Sequence, residues 1–172
     1  MAKIGVVHPD LMSKGGAENV CMHFLEALQE DHTLTLYSNI DPDFDTLNEY
    51  YDTTVVSDAI EVVIPSSVGK TISSITSSRL TVMKRAWLNR GVKRSTRDLD
   101  LVISTKNEFD FDIDNIQYIH YPIMDRAGPD EAKPDSKLHE VYDMISFSIA
   151  GFDRSNSLDH SSLCLANSNW TA

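Results

Sequence analysis

Two adjacent glycines occupy a position in the sequence that would suit a ligand-binding loop. Gly15 and Gly16 follow a short apolar run at residues 3–8 and directly precede an apolar stripe of helical period. Without Cβ atoms, the backbone can approach a ligand closely, and a helix start offers unpaired N–H groups and a partial positive charge. The pattern therefore predicts contact with an anion such as a diphosphate. In the simpler alternative, the two glycines only make the tight turn into the helix.

Two better-known phosphate-binding loops can be tested against the sequence. The dinucleotide fingerprint G-x-G-x-x-G is absent, because the two glycines are adjacent and no third follows, which disfavours a nicotinamide-dependent Rossmann enzyme. The segment Gly69-Lys70-Thr71 resembles the end of a P-loop, but Ile64 occupies the position of its first glycine and no apolar helix follows directly. Both interpretations are rejected.

Charge is distributed unevenly along the chain. The formal net charge is -11, and a nucleic-acid-binding surface needs a net basic charge, so nucleic acid is excluded as a partner of the whole chain. Residues 62–97 contain no Asp or Glu, yet they hold eight of the 15 Lys and Arg residues. This basic segment either forms a binding surface or is a solvated helix that balances acids elsewhere.

The elements that must position these residues follow from the hydrophobic pattern. The 172 residues and the 41% apolar content suit one domain. Strands are predicted at residues 3–8, 33–38, 61–64, 99–104, 116–120 and 162–166, the second of them from alternation and the others from short apolar runs. Helical spacing predicts helices at 17–28, 79–96 and 138–152. The Ser-rich residues 66–78 are expected to form a loop or connector.

The order of these elements predicts the fold class. Alternating strands and helices, with strands that are apolar throughout, indicate an α/β, Rossmann-like three-layer domain with a mainly parallel sheet. Ligands of such sheets bind beyond the carboxyl ends of the strands. Cys21 and Cys164 lie within apolar patterns and are expected to be buried thiols without chemistry. Without a signal peptide or a long apolar run, a soluble, cytoplasmic domain is expected.

Three segments together resemble one family. They are Lys3-Ile-Gly-Val-Val-His8 with Gly15-Gly16-Ala17-Glu18, Tyr118-Ile-His-Tyr-Pro122, and Leu165-Ala-Asn-Ser-Asn-Trp170. In order and rough spacing, they resemble family 4 glycosyltransferases of the GT-B superfamily. The resemblance spans the chain, although residues 40–100 match no motif of that family.

The resemblance implies an enzyme built from two Rossmann-like domains facing each other across a cleft. Residues 1–172 would be the amino-terminal, acceptor-side domain, one half of a GT-B fold, and the carboxyl-terminal donor-binding domain is expected outside this chain. The full-length enzyme would transfer a sugar from a nucleotide sugar to a glycan or lipid-linked acceptor with retention, without a metal or other cofactor. This domain alone is expected to be inactive. The alternative is a stand-alone Rossmann-like module that binds a phosphate or nucleotide without catalysis.

The resemblance also implies roles for individual residues. Gly15 and Gly16 would approach the donor diphosphate. His120 would lie beside the reacting sugar as a neutral imidazole rather than as an essential general base, whereas His8 is interpreted as a packed histidine at a strand end. Further candidates, each with an ordinary structural alternative, are Asn107 and Glu108 on the acceptor side and Asn167 and Ser168 at the cleft rim.

Many members of that family work on lipid-linked acceptors at a membrane surface. The basic segment would then bind anionic headgroups or the phosphate of a polyprenyl carrier, next to exposed Met83, Trp87 or Leu88. The domain would be cytoplasmic and peripheral at the inner face of the membrane. The candidate residues are Lys84, Arg85, Arg90, Lys93 and Arg94.

Overall fold

The computed structural model describes residues 1–75, 80–120, 137–151 and 162–167. Its strands are β1 (Lys3–Val7), β2 (Thr33–Tyr37), β3 (Ile60–Val63), β4 (Leu101–Ser104), β5 (Asn115–Ile119) and β6 (Leu163–Ala166). The helices are α1 (Gly16–Leu28), α2 (Phe44–Tyr51), α3 (Ser67–Ile75), α4 (Thr81–Lys93) and α5 (Lys137–Ala150), with short 3-10 turns at Leu11–Ser13 and Ser57–Ala59.

The strands form one six-stranded sheet in the order β3-β2-β1-β4-β5-β6, and every pair of neighbours is parallel. In the middle of the sheet, Ile4 of β1 pairs with Leu34 of β2 on one side and with Leu101 of β4 on the other. This confirms the predicted α/β, Rossmann-like fold. The strand order reverses between β1 and β4, and in such sheets this switch point opens the crevice where ligands bind.

Apolar side chains cover both faces of the sheet. Successive residues of a strand point to opposite faces, so Val6 packs with Cys21 and Leu25 of α1, while the next residue, Val7, packs with Leu88 and Val92 of α4. Burial on both faces accounts for the uninterrupted apolar runs in the sequence. It also produces the three layers of helix, sheet and helix.

Two helices were not predicted. The Ser-rich segment expected to be a loop contains α3, because Ser66 acts as the residue that caps the helix and its hydroxyl accepts from the Gly69 N–H at 3.1 Å. Helix α2 begins after Asp43, whose carboxylate accepts from the Thr46 N–H at 3.1 Å. Small polar residues favour both loops and helix starts, so composition alone predicted the wrong structure here.

The two cysteines have different environments. Cys21 is fully buried, as predicted, and burial raises the pKa of its thiol to about 12. Cys164 is exposed, which corrects the expectation of a second buried thiol. It lies on β6, an edge strand on which none of the described residues covers the thiol. Among the helices in the described ranges, none is long and apolar enough to cross a bilayer.

Candidate functional site

The switch point brings together the residues that follow β1 and β4. The N–H of His8 donates to the Tyr37 carbonyl at 3.1 Å, and the N–H of Thr105 donates to the Val7 carbonyl at 3.2 Å, so both residues continue the sheet's hydrogen-bond pattern. Nδ1 of His8 lies 2.8 Å from the Thr105 hydroxyl. His8 is fully buried, so its ring is part of the crevice floor.

A buried carboxylate, that of Glu18, faces His8 from the first turn of α1. Its Oε1 lies 3.3 Å from Nε2 of His8, accepts from the Ser13 hydroxyl at 2.8 Å, and forms a short ion pair with Nζ of Lys106. Its Oε2 accepts from the Gly15 N–H at 2.9 Å. Only 3% of Glu18 is exposed, so these contacts replace the water that an ionised carboxylate requires.

The contacts define the charges in this cluster. Burial would raise the pKa of Glu18, but hydrogen bonds from His8 and Lys106, together with the Lys106 charge, hold that pKa well below its usual range. Burial lowers the pKa of His8, and the Lys106 charge lowers it further against the opposing effect of Glu18. Because an ionised carboxylate can only accept, neutral His8 donates from Nε2 to Glu18 and accepts at Nδ1 from Thr105.

The glycine pair lies at the start of α1, where the two residues have different surroundings. A Cβ on Gly15 would lie 2.7 Å from Oε2 of Glu18, so glycine is required there for the close contact with the carboxylate. The Gly15 N–H is already bonded to Glu18, and its carbonyl accepts from the Tyr51 hydroxyl at 2.9 Å. Gly16 is exposed, and a Cβ there would meet nothing within 4 Å. Both glycines are exposed, but the Gly15 N–H is occupied by Glu18, so an approaching anion would meet the N–H of Gly16.

The structure brings together three of the predicted site residues at the ends of β4, β5 and β6. Oδ1 of Asn107 accepts from the His120 N–H at 3.1 Å, and the Asn107 N–H donates to the Tyr118 carbonyl at 3.1 Å. Asn107 has a φ of 62°, a left-handed conformation that asparagine tolerates. Nδ2 of Asn167 lies 3.4 Å from Nδ1 of His120. Ser168, the other rim candidate, lies outside the described residues.

His120 shares its electrostatic surroundings with the His8 cluster. Burial lowers the pKa of His120 and the Lys106 charge adds to this effect, while a hydrogen bond to the Thr105 backbone and the Glu18 charge partly oppose it. The imidazole is therefore neutral at neutral pH. The candidate site thus extends along the carboxyl ends of β1, β4 and β5.

Glu108 and Arg85 are buried, whereas the sequence suggested that both side chains face a ligand or a lipid surface. Glu108 is only 1% exposed, so its carboxylate does not face an acceptor arriving from solvent. Its backbone carbonyl accepts from Nη2 of Arg85 at 2.7 Å. Arg85 is itself only 4% exposed, which removes it from any lipid-facing surface. Burial lowers the pKa of Arg85 to about 10, against the opposing charge of Glu108, and the guanidinium stays charged at neutral pH.

The remaining basic candidates on and after α4 do not form one exposed group. Lys93 donates to Asp110 at 2.6 Å, and Lys84 is half-buried, whereas Arg90 and Arg94 are exposed. Leu88 is fully buried, contrary to the expectation that it lies exposed beside these charges.

Sequence reasoning missed the residues that organise the switch point: Ser13, Glu18, Thr105 and Lys106. One signal was present for Glu18, because an acid three residues after a helix cap commonly reaches back to the cap N–H. No comparable signal exists for Lys106, which meets Glu18 only through the fold. In the described part of the chain, no group of three or more His, Cys, Asp or Glu residues is placed to hold a metal ion.

No family model matches this sequence, and no curated protein matches it. Among solved structures, the chain is similar to the crystal structure of Anabaena Alr3699/HepE in complex with UDP and glucose, with 12% sequence identity and a TM-score of 0.39. The match covers 95% of this chain and 44% of the HepE chain, so this chain spans less than half the length of that protein. The fold assignment is based on the strand order and the parallel pairing alone.

Proposed function

We propose that this chain is the amino-terminal, acceptor-side domain of a retaining glycosyltransferase, one half of a GT-B fold. The full-length enzyme transfers a sugar from a nucleotide sugar to a glycan or lipid-linked acceptor. One observation supports the proposal above others. The described parts of two segments that resemble family 4, far apart in sequence, meet at the carboxyl edge of the sheet, where Nδ1 of His120 lies 3.4 Å from Nδ2 of Asn167.

In the proposed reaction, the bond between the anomeric carbon and the diphosphate oxygen breaks. A bond from that carbon to the acceptor hydroxyl oxygen forms on the same face of the sugar, and the hydroxyl proton passes to the leaving diphosphate. His120 contributes a neutral imidazole that hydrogen-bonds the reacting sugar. Asn107 is a positioning residue, because its side-chain oxygen holds the His120 backbone at 3.1 Å.

The proposed donor diphosphate approaches the start of α1 at Gly16, since the Gly15 N–H already donates to Glu18. A carboxylate near a diphosphate is unfavourable, but Lys106 neutralises Glu18 through their ion pair. The partial positive charge of the α1 N-terminus adds to the attraction of an anion. Groups that bind the base and ribose would belong to the second domain.

The proposal is tested with the full-length gene product, incubated with a panel of UDP-, GDP- and ADP-sugars while release of the nucleoside diphosphate is measured. Replacing His120 with alanine is expected to lower kcat by about a hundredfold, the usual cost of losing one group that stabilises a transition state. His23→Ala is the matched control, because His23 is exposed on α1 and its side chain hydrogen-bonds Glu26 in the same helix.

Two results would contradict the proposal. An inverted anomeric configuration in the product, measured by NMR, excludes a retaining transferase. Absence of turnover with every donor, together with tight nucleotide binding by residues 1–172, supports the stand-alone binding module instead.

We also propose that the domain is cytoplasmic and associates peripherally with the inner face of the membrane through Arg90 and Arg94. These are the candidate cations that lie exposed, at the carboxyl-terminal end of α4 and directly after it. Clustered basic side chains at a surface attract anionic headgroups. Lys84, Arg85 and Lys93 are not part of this proposed surface because they are buried, half-buried or paired.

A further inference from the structure

A cavity with several polar and charged side chains in its wall lies beside the switch point, between the segments that follow β1 and β2 and the helices α3 and α4. Its volume is about 150 Å³. The side chains that matter for its chemistry are Asp10, Asn39, Ser73, Lys84, Arg85 and Lys106. Three of them, Asn39, Ser73 and Arg85, are more than nine-tenths buried.

The guanidinium of Arg85 is held on three sides. Its Nη2 donates to the carbonyls of Lys106 at 3.3 Å and Glu108 at 2.7 Å, and Cζ lies 5.1 Å from the centroid of the Phe109 ring. Its Nε and Nη1 have no hydrogen-bond partner among the described residues. Buried donors of a charged group without an acceptor are strongly unfavourable, so an anion in the cavity would stabilise this arrangement.

Two further buried atoms at the cavity lack a partner within the described ranges, namely Oγ of Ser73 and Oδ1 of Asn39. The orientation of the Asn39 amide is fixed because its Nδ2 donates to the Lys84 carbonyl at 3.2 Å, which leaves the oxygen as the unused acceptor. Gly69 lets α3 approach this oxygen closely, since a Cβ there would lie 2.8 Å from it. Unused donors and an unused acceptor therefore belong to three buried side chains that line the cavity.

The wall of the cavity contains more cations than carboxylates. Lys84, Arg85 and Lys106 line it together with Asp10, while two neighbouring carboxylates offset part of this charge, that of Glu18 at Lys106 and that of Glu108 at Arg85. Thr81, the first residue of the 13-residue helix α4, also lines the cavity, and the preceding Leu80 has no side-chain oxygen to cap the helix. The exposed helix start adds a partial positive charge.

We propose that this cavity binds the phosphate group of a small, soluble phosphate monoester that also bears hydroxyl groups, such as a sugar phosphate. The phosphate oxygens accept from Nε and Nη1 of Arg85 and from the Ser73 hydroxyl, while a hydroxyl of the ligand donates to Asn39. The enclosed position of Arg85 suits a small soluble ligand rather than a flat lipid surface. This inference concerns binding alone and does not depend on the proposed sugar transfer.

The test is calorimetric titration of the 172-residue chain with glucose 6-phosphate, inorganic phosphate and glucose, and sedimentation with vesicles that contain phosphatidic acid. Glucose 6-phosphate is expected to bind, more tightly than inorganic phosphate, and glucose is expected not to bind. Ser73→Ala should weaken binding of the sugar phosphate by about tenfold, because it removes one hydrogen bond to a charged group. Lys84→Gln should weaken it severalfold.

Both variants have matched controls. Ser74→Ala removes the exposed neighbouring hydroxyl on α3, and Arg97→Gln removes an exposed positive charge after α4, and both should leave binding of the sugar phosphate unchanged. Ser73→Ala should retain the fold, since its hydroxyl makes no hydrogen bond within the described residues. The proposal is overturned if neither phosphate binds, if Ser73→Ala and Lys84→Gln bind like the parent, or if only the phosphatidic acid vesicles are bound.

Discussion

Glu18 is the residue through which the parts of the switch point are joined. Its two carboxylate oxygens accept from Gly15 in the loop, from Ser13, and from His8 and Lys106 at the ends of β1 and β4. A buried ion pair of this kind contributes little net stability, but removing one partner is costly. The arrangement therefore fixes the relative positions of α1 and the two central strands more than it adds to overall stability.

Neutral His8 makes the stability of this chain depend on pH. The pKa of His8 is lowered from 6.5 by burial, so the unfolded chain binds a proton more readily than the folded chain. The stability that the folded chain has with neutral His8 is fully present above about pH 6.5, and it is lost as the pH falls towards the pKa of His8 in the folded chain. We therefore expect the free energy of unfolding, measured with urea, to decrease between about pH 7.5 and about pH 5.

A variant isolates the contribution of His8. Gln in place of His8 can still donate to Glu18 and accept from Thr105, but it does not titrate, so the pH dependence should become shallower. His120, whose pKa is also lowered, has the same sign and leaves part of the slope in place. His23→Gln, at an exposed site on α1, should change nothing. An unchanged slope in His8→Gln would show that the protonation of His8 is not coupled to folding.

At this scale, the sequence predicted part of the site. Asn107, His120 and Asn167 could be placed at strand ends because each follows a recognisable apolar run, and Gly15 could be placed at the start of α1 because an apolar stripe follows it. The inward position of Arg85 could not be predicted, since a cation four residues before Asn89 and three before Leu88 breaks the hydrophobic pattern of the buried helix face. A buried polar residue can be recognised only from its hydrogen-bond partners. For Arg85 these partners are backbone carbonyls of a loop that is distant in sequence.

Helix α4 is the element that connects the cavity, the sheet and α5. Its buried residue Gly91 lies against the segment before α3, where a Cβ would be 2.6 Å from the Pro65 Cβ and 3.0 Å from the Pro65 carbonyl oxygen. The backbone oxygen cannot move aside as a flexible side chain could. The absence of a side chain at Gly91 is therefore a packing requirement of α4.

Gly91→Ala is expected to lower the free energy of unfolding by about 1–3 kcal/mol, because overpacking outweighs the roughly 1 kcal/mol gained in helix propensity. Gly16→Ala is the matched control in stability measurements, since nothing lies within 4 Å of a Cβ there. The control should be neutral or slightly stabilising. Equal unfolding midpoints for the two variants would contradict the packing argument.

The proposed membrane contact belongs to the carboxyl-terminal end of the same helix. Replacing both Arg90 and Arg94 with Gln should lower co-sedimentation with vesicles of anionic lipid, by about tenfold or more in the partition constant, since each basic residue at such a surface contributes about 1 kcal/mol. The double replacement of Lys70 and Arg97, which are also exposed, removes the same charge elsewhere. Equal sedimentation of both double variants would mean that only net charge matters.

Helices were predicted correctly where the sequence has a strong apolar stripe. They were missed where a capping side chain determines that a helix begins. Helices α1, α4 and α5 were expected from their spacing. Helices α2 and α3 depend on the side chains of Asp43 and Ser66 at their starts, residues that occur equally often in loops. The capping geometry, rather than composition, distinguishes the two outcomes.

At the scale of the whole molecule, the six parallel strands place His8, Asn107, His120 and Asn167 at one edge of the sheet. Parallel strands all end on the same side, so segments separated by about 100 residues converge there. The fold class followed from the apolar runs, because strands buried on both faces leave no alternation. The exposure of Cys164 did not follow, since an edge strand and an interior strand of such a sheet have the same apolar pattern.

The resemblance to two-domain enzymes leads to a prediction for this chain as a whole. Residues 1–172 are expected to bind UDP- or GDP-sugars weakly or not at all in calorimetry, because the groups that would hold the base and ribose are expected in another domain. The full-length gene product, titrated under the same conditions, is the comparison. Micromolar binding of a UDP- or GDP-sugar by residues 1–172 would be inconsistent with the proposal that another domain holds the base and ribose.

The central position of β1 has a consequence for how the chain acquires its fold during synthesis. Ile4 is made 97 residues before Leu101, which is its partner on one side. At ribosomal rates of about 5–20 residues per second, Leu101 is synthesised on the order of 5–20 s after Ile4. Until then the second edge of β1 is unpaired, and contacts of such long sequence separation form slowly. We therefore expect the nascent chain to depend on chaperones until β4 has emerged.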